Sequence, residues 1–141
     1  MCFGGGHLSP KELESNRKHN VNKKNVIQIS GNDETLTNLY THASALVYPS
    51  LYEGFGLPLL EAMSFQCPVI CSNTSSMPEI AGEAAEFFEP HDPESIAHAI
   101  ETVVFSQIRT ATLREQGTRR VKNFSWDKCA EKTLQVYKNL L

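Results

Sequence analysis

Lysine and arginine are missing from residues 51 to 105 of this 141-residue chain, although 13 of them occur elsewhere. The same stretch holds nine acidic residues, whereas residues 106 to 141 hold eight basic and three acidic ones. A formal net charge of -3 therefore conceals an acidic middle and a basic tail. Solvated helix faces and caps account for the acidic part most simply. The tail residues Arg109, Arg114, Arg119, Arg120, Lys122, Lys128, Lys132 and Lys138 lie along helical patterns without interleaved aromatic rings to stack bases, which argues against a nucleic-acid partner. Attraction of this tail to an anionic membrane surface is left open.

Long apolar runs are also lacking. "ASALVY" and "HAIETVVF" are far shorter than the roughly 20 residues that cross a bilayer, and "MCFGGG" is not a signal-peptide pattern. The expected location is therefore cytoplasmic, with peripheral contact at the inner face of the membrane as the alternative. Cysteine is sparse: Cys2, Cys67, Cys71 and Cys129 form no CxxC pair and no zinc-ligand spacing. Across a strand, Cys67 and Cys71 would lie up to about 13 Å apart at roughly 3.3 Å per residue, too far for a disulfide. Reduced thiols and no metal are expected. His7, His19, His42, His91 and His98 have no partner arrangement that suggests catalysis and are read as surface or capping residues.

What is present is ordinary for one soluble domain: 40% hydrophobic and 21% charged residues. Short β-branched runs alternate with helical periodicity. "MCF" reads as a strand end before the "GGG" turn, and "SPKELESNRKHN" as a helix with Ser9 as cap and Pro10 in its first turn. "NVIQIS" is a strand broken by Gly31-Asn32, and "DETLTNLYTHA" a helix with Leu36, Leu39, Tyr40 and Ala43 on one face. "SALVYPS" and "LPLLEAMSFQ" form the next strand and helix; "PVICSN" is a strand buried on both faces. Beyond the polar loop "TSSM", "PEIAGE" is a short helix, "AAEFFEP" an edge strand, and "DPESIAHAIETVVF" a helix capped by Asp92 with Pro93 at its start. "TATLREQGTRRVKNF" is a helix weakened by Gly117. The final helix, about residues 125–141, starts at Ser125 with a Phe124 to Cys129 staple and a stripe of Trp126, Ala130, Thr133, Tyr137 and Leu140. This alternation predicts a Rossmann-like α/β domain, a mostly parallel sheet flanked by helices, over residues 1–141.

The chemistry concentrates in "YPSLYEGFGLPLLEAM", residues 48 to 63. In an open parallel sheet, ligands bind where strands end and the following helices begin. Gly54 and Gly56 permit close approach of a ligand to the main chain, and the N–H groups around Gly56, Leu57 and Leu59 at the positive end of a helix suit a phosphate or sugar hydroxyl. Glu61 falls one turn into that helix, where a carboxylate can accept two hydrogen bonds from a ribose diol. The bland alternative makes Glu53 and Glu61 surface residues, with Phe55, Leu57, Leu60 and Met63 as core.

Together with "PVI", "SSMPEI" and "FSW", the series "EGFGLPLLEAM" resembles the donor-nucleotide domain of the large retaining GT-B glycosyltransferases, glycosyltransferase family 4, over nearly the whole chain. The run leans toward mannosyltransferases that use GDP-mannose over those that use UDP-sugars. The resemblance implies that Glu53 sits beside the transferred sugar as the catalytic carboxylate, holding a hydroxyl and stabilising charge at the anomeric carbon. Glu61 would bind the ribose; Gly54, Phe55, Gly56 and Leu57 would serve the sugar and diphosphate; and the main chain from Ile29 through Ser30 and Gly31 would flank the base. No metal cofactor is implied, in keeping with the lack of a DxD motif. Implied too are transfer with retention of anomeric configuration, in surface polysaccharide or glycan synthesis, and a glycan or lipid-linked acceptor held by a second domain. The alternative is a non-catalytic nucleotide-sugar-binding or partner module of the same fold.

Against this family the chain reads as a carboxy-terminal part without the acceptor domain. The first strand-helix unit of the donor domain, with its Arg/Lys pair for the diphosphate, is also absent. In a strand order 3-2-1-4-5-6 that missing strand lies between "MCF" and "SALVY". Three outcomes are open: these strands pair directly, another chain supplies the strand, or the amino-terminal elements pack loosely. The final helix would expose its Trp126 and Tyr137 stripe and invite self-association.

Overall fold

A computed structural model describes residues 1–4, 8–19, 21–22 and 25–140. The chain divides into two compact units, Met1–Leu39 and Tyr40–Leu141.

In the amino-terminal unit, β1 (Cys2–Phe3) and β2 (Gln28–Ile29) pair in parallel, Cys2 opposite Gln28 and Phe3 opposite Ile29. Between them runs α1 (Pro10–Lys18). Its start follows from local chemistry: Ser9 Oγ accepts from the Glu12 N–H while the Glu12 carboxylate accepts from the Ser9 N–H, a reciprocal capping box ahead of Pro10. Most of the expected "GGG" turn, together with His7, lies outside the described residues. α2 (Asp33–His42) begins after Asn32, whose Oδ1 accepts from the Thr35 N–H. The division between units falls within the last turn of α2.

The second unit is built on a parallel sheet ordered β3 (Leu46–Tyr48), β4 (Val69–Ser72), β5 (Ala85–Phe88). All described pairings are parallel, as the α/β reading requires. The described strands fall into two sheets, one in each unit. β4 is buried throughout, and β5 is the edge strand that "AAEFFEP" predicts. Burial of β4 on both faces explains its unbroken apolar run. On one face Ile70 and Phe88 pack with Ala99 and Val103 of α5 (Pro93–Val104) and Leu113 of α6 (Gln107–Val121). α3 (Leu57–Ser64) and α4 (Met77–Ala81) also contact β4, and they bury Leu59, Ala62, Met63, Met77 and Ile80. Cys67 and Cys71 are buried free thiols, and desolvation pushes the Cys71 thiol up to about 12.

One local expectation is corrected, and two tertiary contacts are added to it. α6 starts at Gln107 rather than Thr110, because Ser106 Oγ accepts from the Arg109 N–H and caps the helix earlier. α6 runs unbroken through Gly117, where a Cβ would approach Met63 Cγ at 3.1 Å, so the glycine lets α6 lie close to α3. The Arg120 guanidinium lies over the Phe124 ring, 5.2 Å from the ring centre, and Phe124 meets the Phe55 ring edge-on at 6.0 Å.

Arg120 also donates through Nε to Ile80 O at 2.8 Å and through Nη2 to Glu79 O, covering carbonyls at the end of α4. Replacing Arg120 with alanine should lower stability by about 1–2 kcal/mol, since charged hydrogen bonds to carbonyls are lost at a half-buried site. Urea denaturation checks this. Arg109 is engaged in a similar way, with Nε donating to Glu86 at 2.7 Å. These two basic residues of the tail therefore hold the fold rather than facing a polyanion.

α7 (Trp126–Leu140) opens at Ser125, whose Oγ accepts from the Lys128 N–H, and buries none of its residues. Trp126 and Leu140 are each 78% exposed, so the expected stripe is formed and open. No described helix is long and apolar enough to cross a membrane.

Candidate functional site

At the carboxyl end of β3 the chain leaves the sheet at Tyr48, runs through "PSLYEGFG", and enters α3. Gly56 makes that entry possible: its φ of 99° lies in the left-handed region, where any other residue would be strained, and it caps α3 with no side-chain bond. Its carbonyl accepts from the Leu59 N–H at 3.1 Å. Leu59 N–H is thus not free for a ligand, contrary to expectation. The N–H groups of Gly56 and Leu57 have no described partner and point from the positive end of the helix. Pro58 removes only a donor that the first turn does not use.

The loop is held by hydroxyls. Tyr48 Oη donates to Glu53 Oε1 at 2.6 Å and Ser50 Oγ donates to the same oxygen at 2.9 Å. From the loop after β4, Ser75 Oγ accepts from the Glu53 N–H and donates to the Glu53 carbonyl, at 3.2 and 2.8 Å. Ser76 Oγ reaches the carbonyls of Glu53 and Phe55, at 3.0 and 2.9 Å. Thr74 Oγ1 donates to Leu51 O. Ser75 itself has a φ of 55°, a strained value for a serine, at the point where the second loop presents its hydroxyls.

These bonds set the electrostatics. The hydrogen bonds from Tyr48, then Ser50, hold the Glu53 carboxyl below the usual carboxylate range, so it is ionised at neutral pH. The Tyr48 phenol is pushed up to about 12, first by burial and then by Glu53, with a smaller contribution from Glu61. Tyr48 thus bonds Glu53 directly and feels Glu61 only through space. Glu61 lies on the exposed side of α3, where Tyr40 Oη donates to its Oε2 at 3.4 Å. Tyr40 stacks on Phe65 at 6.2 Å, and its phenol is raised chiefly by burial and next by Glu61.

Phe55 and Leu57 are 43% and 46% exposed, so the bland assignment of both to the core does not hold. The inward face of α3 is Leu59, Ala62 and Met63. Gly54 sits in open space, with nothing within 4 Å of where a Cβ would be. Ser30 and Gly31 follow β2 in the amino-terminal unit; a Cβ at Gly31 would strike the Thr35 side chain, which is a packing reason for that glycine. Tyr48, Ser50, Ser75 and Ser76 carry no functional reading in the sequence, where Tyr40 is placed only on one face of its helix. Their one signal is that "YPS" and "TSSM" both follow strands of the same parallel sheet.

The hydroxyl-clamped glycine loop lies at the carboxyl edge of a parallel sheet, where open α/β domains bind their ligands. Residues 1–120 match the model of the family described as glycosyl transferases group 1, and the chain belongs to that family. It is 46% identical over 110 residues to O-antigen chain mannosyltransferase B of Escherichia coli, a match that covers 77% of this chain and 28% of that protein. MMP alpha-(1->4)-mannosyltransferase of Mycolicibacterium hassiacum is 34% identical over 113 residues, again 77% of this chain and 28% of the relative. Among solved structures, sucrose-phosphate synthase from Thermosynechococcus elongatus superimposes with a TM-score of 0.81 at 29% identity, over 98% of this chain and 37% of that one. The α/β fold is that of GT-B glycosyltransferases. The chain spans little more than a quarter of the two curated relatives.

Proposed function

We propose that this chain supplies the donor-binding part of a glycosyltransferase that moves a sugar, with retention, from a nucleotide-sugar to a glycan or lipid-linked acceptor. The observation that carries this reading is the ionised Glu53, fixed by hydroxyls in a glycine loop at the mouth of α3, the helix whose exposed side carries Glu61. A nucleoside diphosphate is already a good leaving group. The demand on the protein is to stabilise departing negative charge and positive charge at the anomeric carbon, not to protonate an oxygen. The N–H groups of Gly56 and Leu57 suit the first task, Glu53 the second, and Glu61 the ribose. The pair is therefore not a glycosidase pair, which needs one carboxyl as acid.

The reaction needs no metal in this scheme, and the acceptor is held by protein outside these residues. GDP-mannose is the favoured donor, supported by the mannosyltransferase relatives, and the setting is surface polysaccharide synthesis at the cytoplasmic side of a membrane. Replacing Glu53 with alanine should leave GDP affinity unchanged and abolish the extra affinity that the mannosyl group gives GDP-mannose. Calorimetry with both compounds reads this out. Equal affinities for the two compounds in the unaltered chain would contradict the placement of Glu53 beside the sugar.

A further inference from the structure

The Glu53 carboxylate is held asymmetrically. Two hydroxyls converge on Oε1, that of Tyr48 at 2.6 Å and that of Ser50 at 2.9 Å with Tyr52 O as its longer alternative at 3.2 Å, while Oε2 accepts no described hydrogen bond. Tyr48 is the last residue of β3, so its ring is anchored in the sheet, whereas Ser50 and Glu53 belong to the loop. The Glu53 main chain is fixed on both sides of its peptide by Ser75 and Ser76. From this we infer that Tyr48 and Ser50 are positioning residues: they saturate Oε1 and leave Oε2 as the acceptor aimed at a hydroxyl of the donor sugar. This assignment rests on the donor-site reading above.

The physical reason is the difference between a free and a fixed carboxylate. An exposed glutamate samples several rotamers and presents either oxygen, so a sugar hydroxyl must pay to order it on binding. Two donors on one oxygen remove that choice before the donor arrives. A phenol serves because it stays protonated: burial and the two glutamates push it up to about 12. Ordinary working pH therefore never converts it from donor to a second anion beside Glu53. Phenylalanine would keep the ring in the sheet and lose the bond alone.

The test uses the whole chain with a 13C label at the glutamate carboxyls, and compares Tyr48→Phe and Ser50→Ala with the unaltered protein. The Glu53 carboxyl titration should move upward, toward the ordinary carboxylate range, in both variants, and further in Tyr48→Phe because the phenol is the larger cause of its lowered value. In parallel, affinity for GDP-mannose should fall about tenfold in Tyr48→Phe, the size of one hydrogen bond to a charged group, with GDP affinity retained. A Glu53 titration unmoved in both variants overturns the assignment, and so does an equal loss for GDP and GDP-mannose, which marks a merely structural role. If the unaltered chain binds neither GDP-mannose nor UDP-glucose nor their nucleotides, the donor-site reading fails and the positioning role toward a sugar falls with it. The titration read alone then shows whether the clamp exists without a ligand.

Discussion

Replacing Glu61 with alanine should weaken nucleotide binding by about 1–3 kcal/mol, about five- to 150-fold, through the loss of charged hydrogen bonds to the ribose. The fold should survive. Glu61 is exposed on α3, alanine is the better helix former, and the one described side-chain bond it makes, from Tyr40 Oη, is long at 3.4 Å. A spectroscopic control accompanies the binding measurement. Glu61 is the second cause of the raised Tyr40 phenol, after burial, so removing it should bring the Tyr40 titration down while leaving it above the ordinary value. Loss of binding with an intact unfolding transition and this modest tyrosine shift would separate a ligand contact from damage to the helix. An affinity unchanged by the substitution would remove Glu61 from the site.

Replacing Phe88 with alanine should cost about 3–5 kcal/mol of stability, the range for deleting a fully buried aromatic ring. Phe88 is 2% exposed at the end of β5, packed with Ile70, Ala99, Val103 and Leu113, so the ring joins the sheet to both α5 and α6. Small domains have about 5–15 kcal/mol in total, which makes this variant marginal. Its carbonyl also accepts from the Asn73 N–H, at the start of the loop that presents Ser75 and Ser76 to Glu53. The urea midpoint should fall with little change in slope. A midpoint close to that of the unaltered chain would mean that the core of the second unit lies elsewhere.

Much of this fold can be read from local chemistry. Ser9-Pro10 and Asp92-Pro93 start helices where they stand because each cap side chain accepts a first-turn N–H, and "PVICS" is buried on both faces as its composition requires. The misreadings share a cause in tertiary contacts. Leu59, Ala62 and Met63 face inward because α3 meets α6 across Gly117, and no periodicity in ten residues entered through a left-handed glycine fixes that phase. Phe124 also meets a cation and an aromatic edge, Arg120 and Phe55, which no local pattern announces.

The glutamate pair was legible from its spacing around Gly54 and Gly56 together with the flanking segments. The hydroxyl clamp was not. Ser75 and Ser76 lie 22 and 23 residues from Glu53 and reach it only because β3 and β4 are neighbours in the sheet, and the Tyr48 bond depends on the path of a loop that no propensity specifies. Ser30 and Gly31 belong to the amino-terminal unit, where the Thr35 side chain leaves no room for a Cβ at Gly31.

The central claim is that this chain carries a nucleotide-sugar donor site built around Glu53 and Glu61. Calorimetric titration of the purified, folded chain with GDP, UDP, ADP, GDP-mannose and UDP-glucose tests it most directly. The account predicts selective binding of one nucleotide, GDP in preference to UDP or ADP, with tighter binding of the matching nucleotide sugar. No binding of any of the five by a chain whose unfolding is cooperative would contradict it.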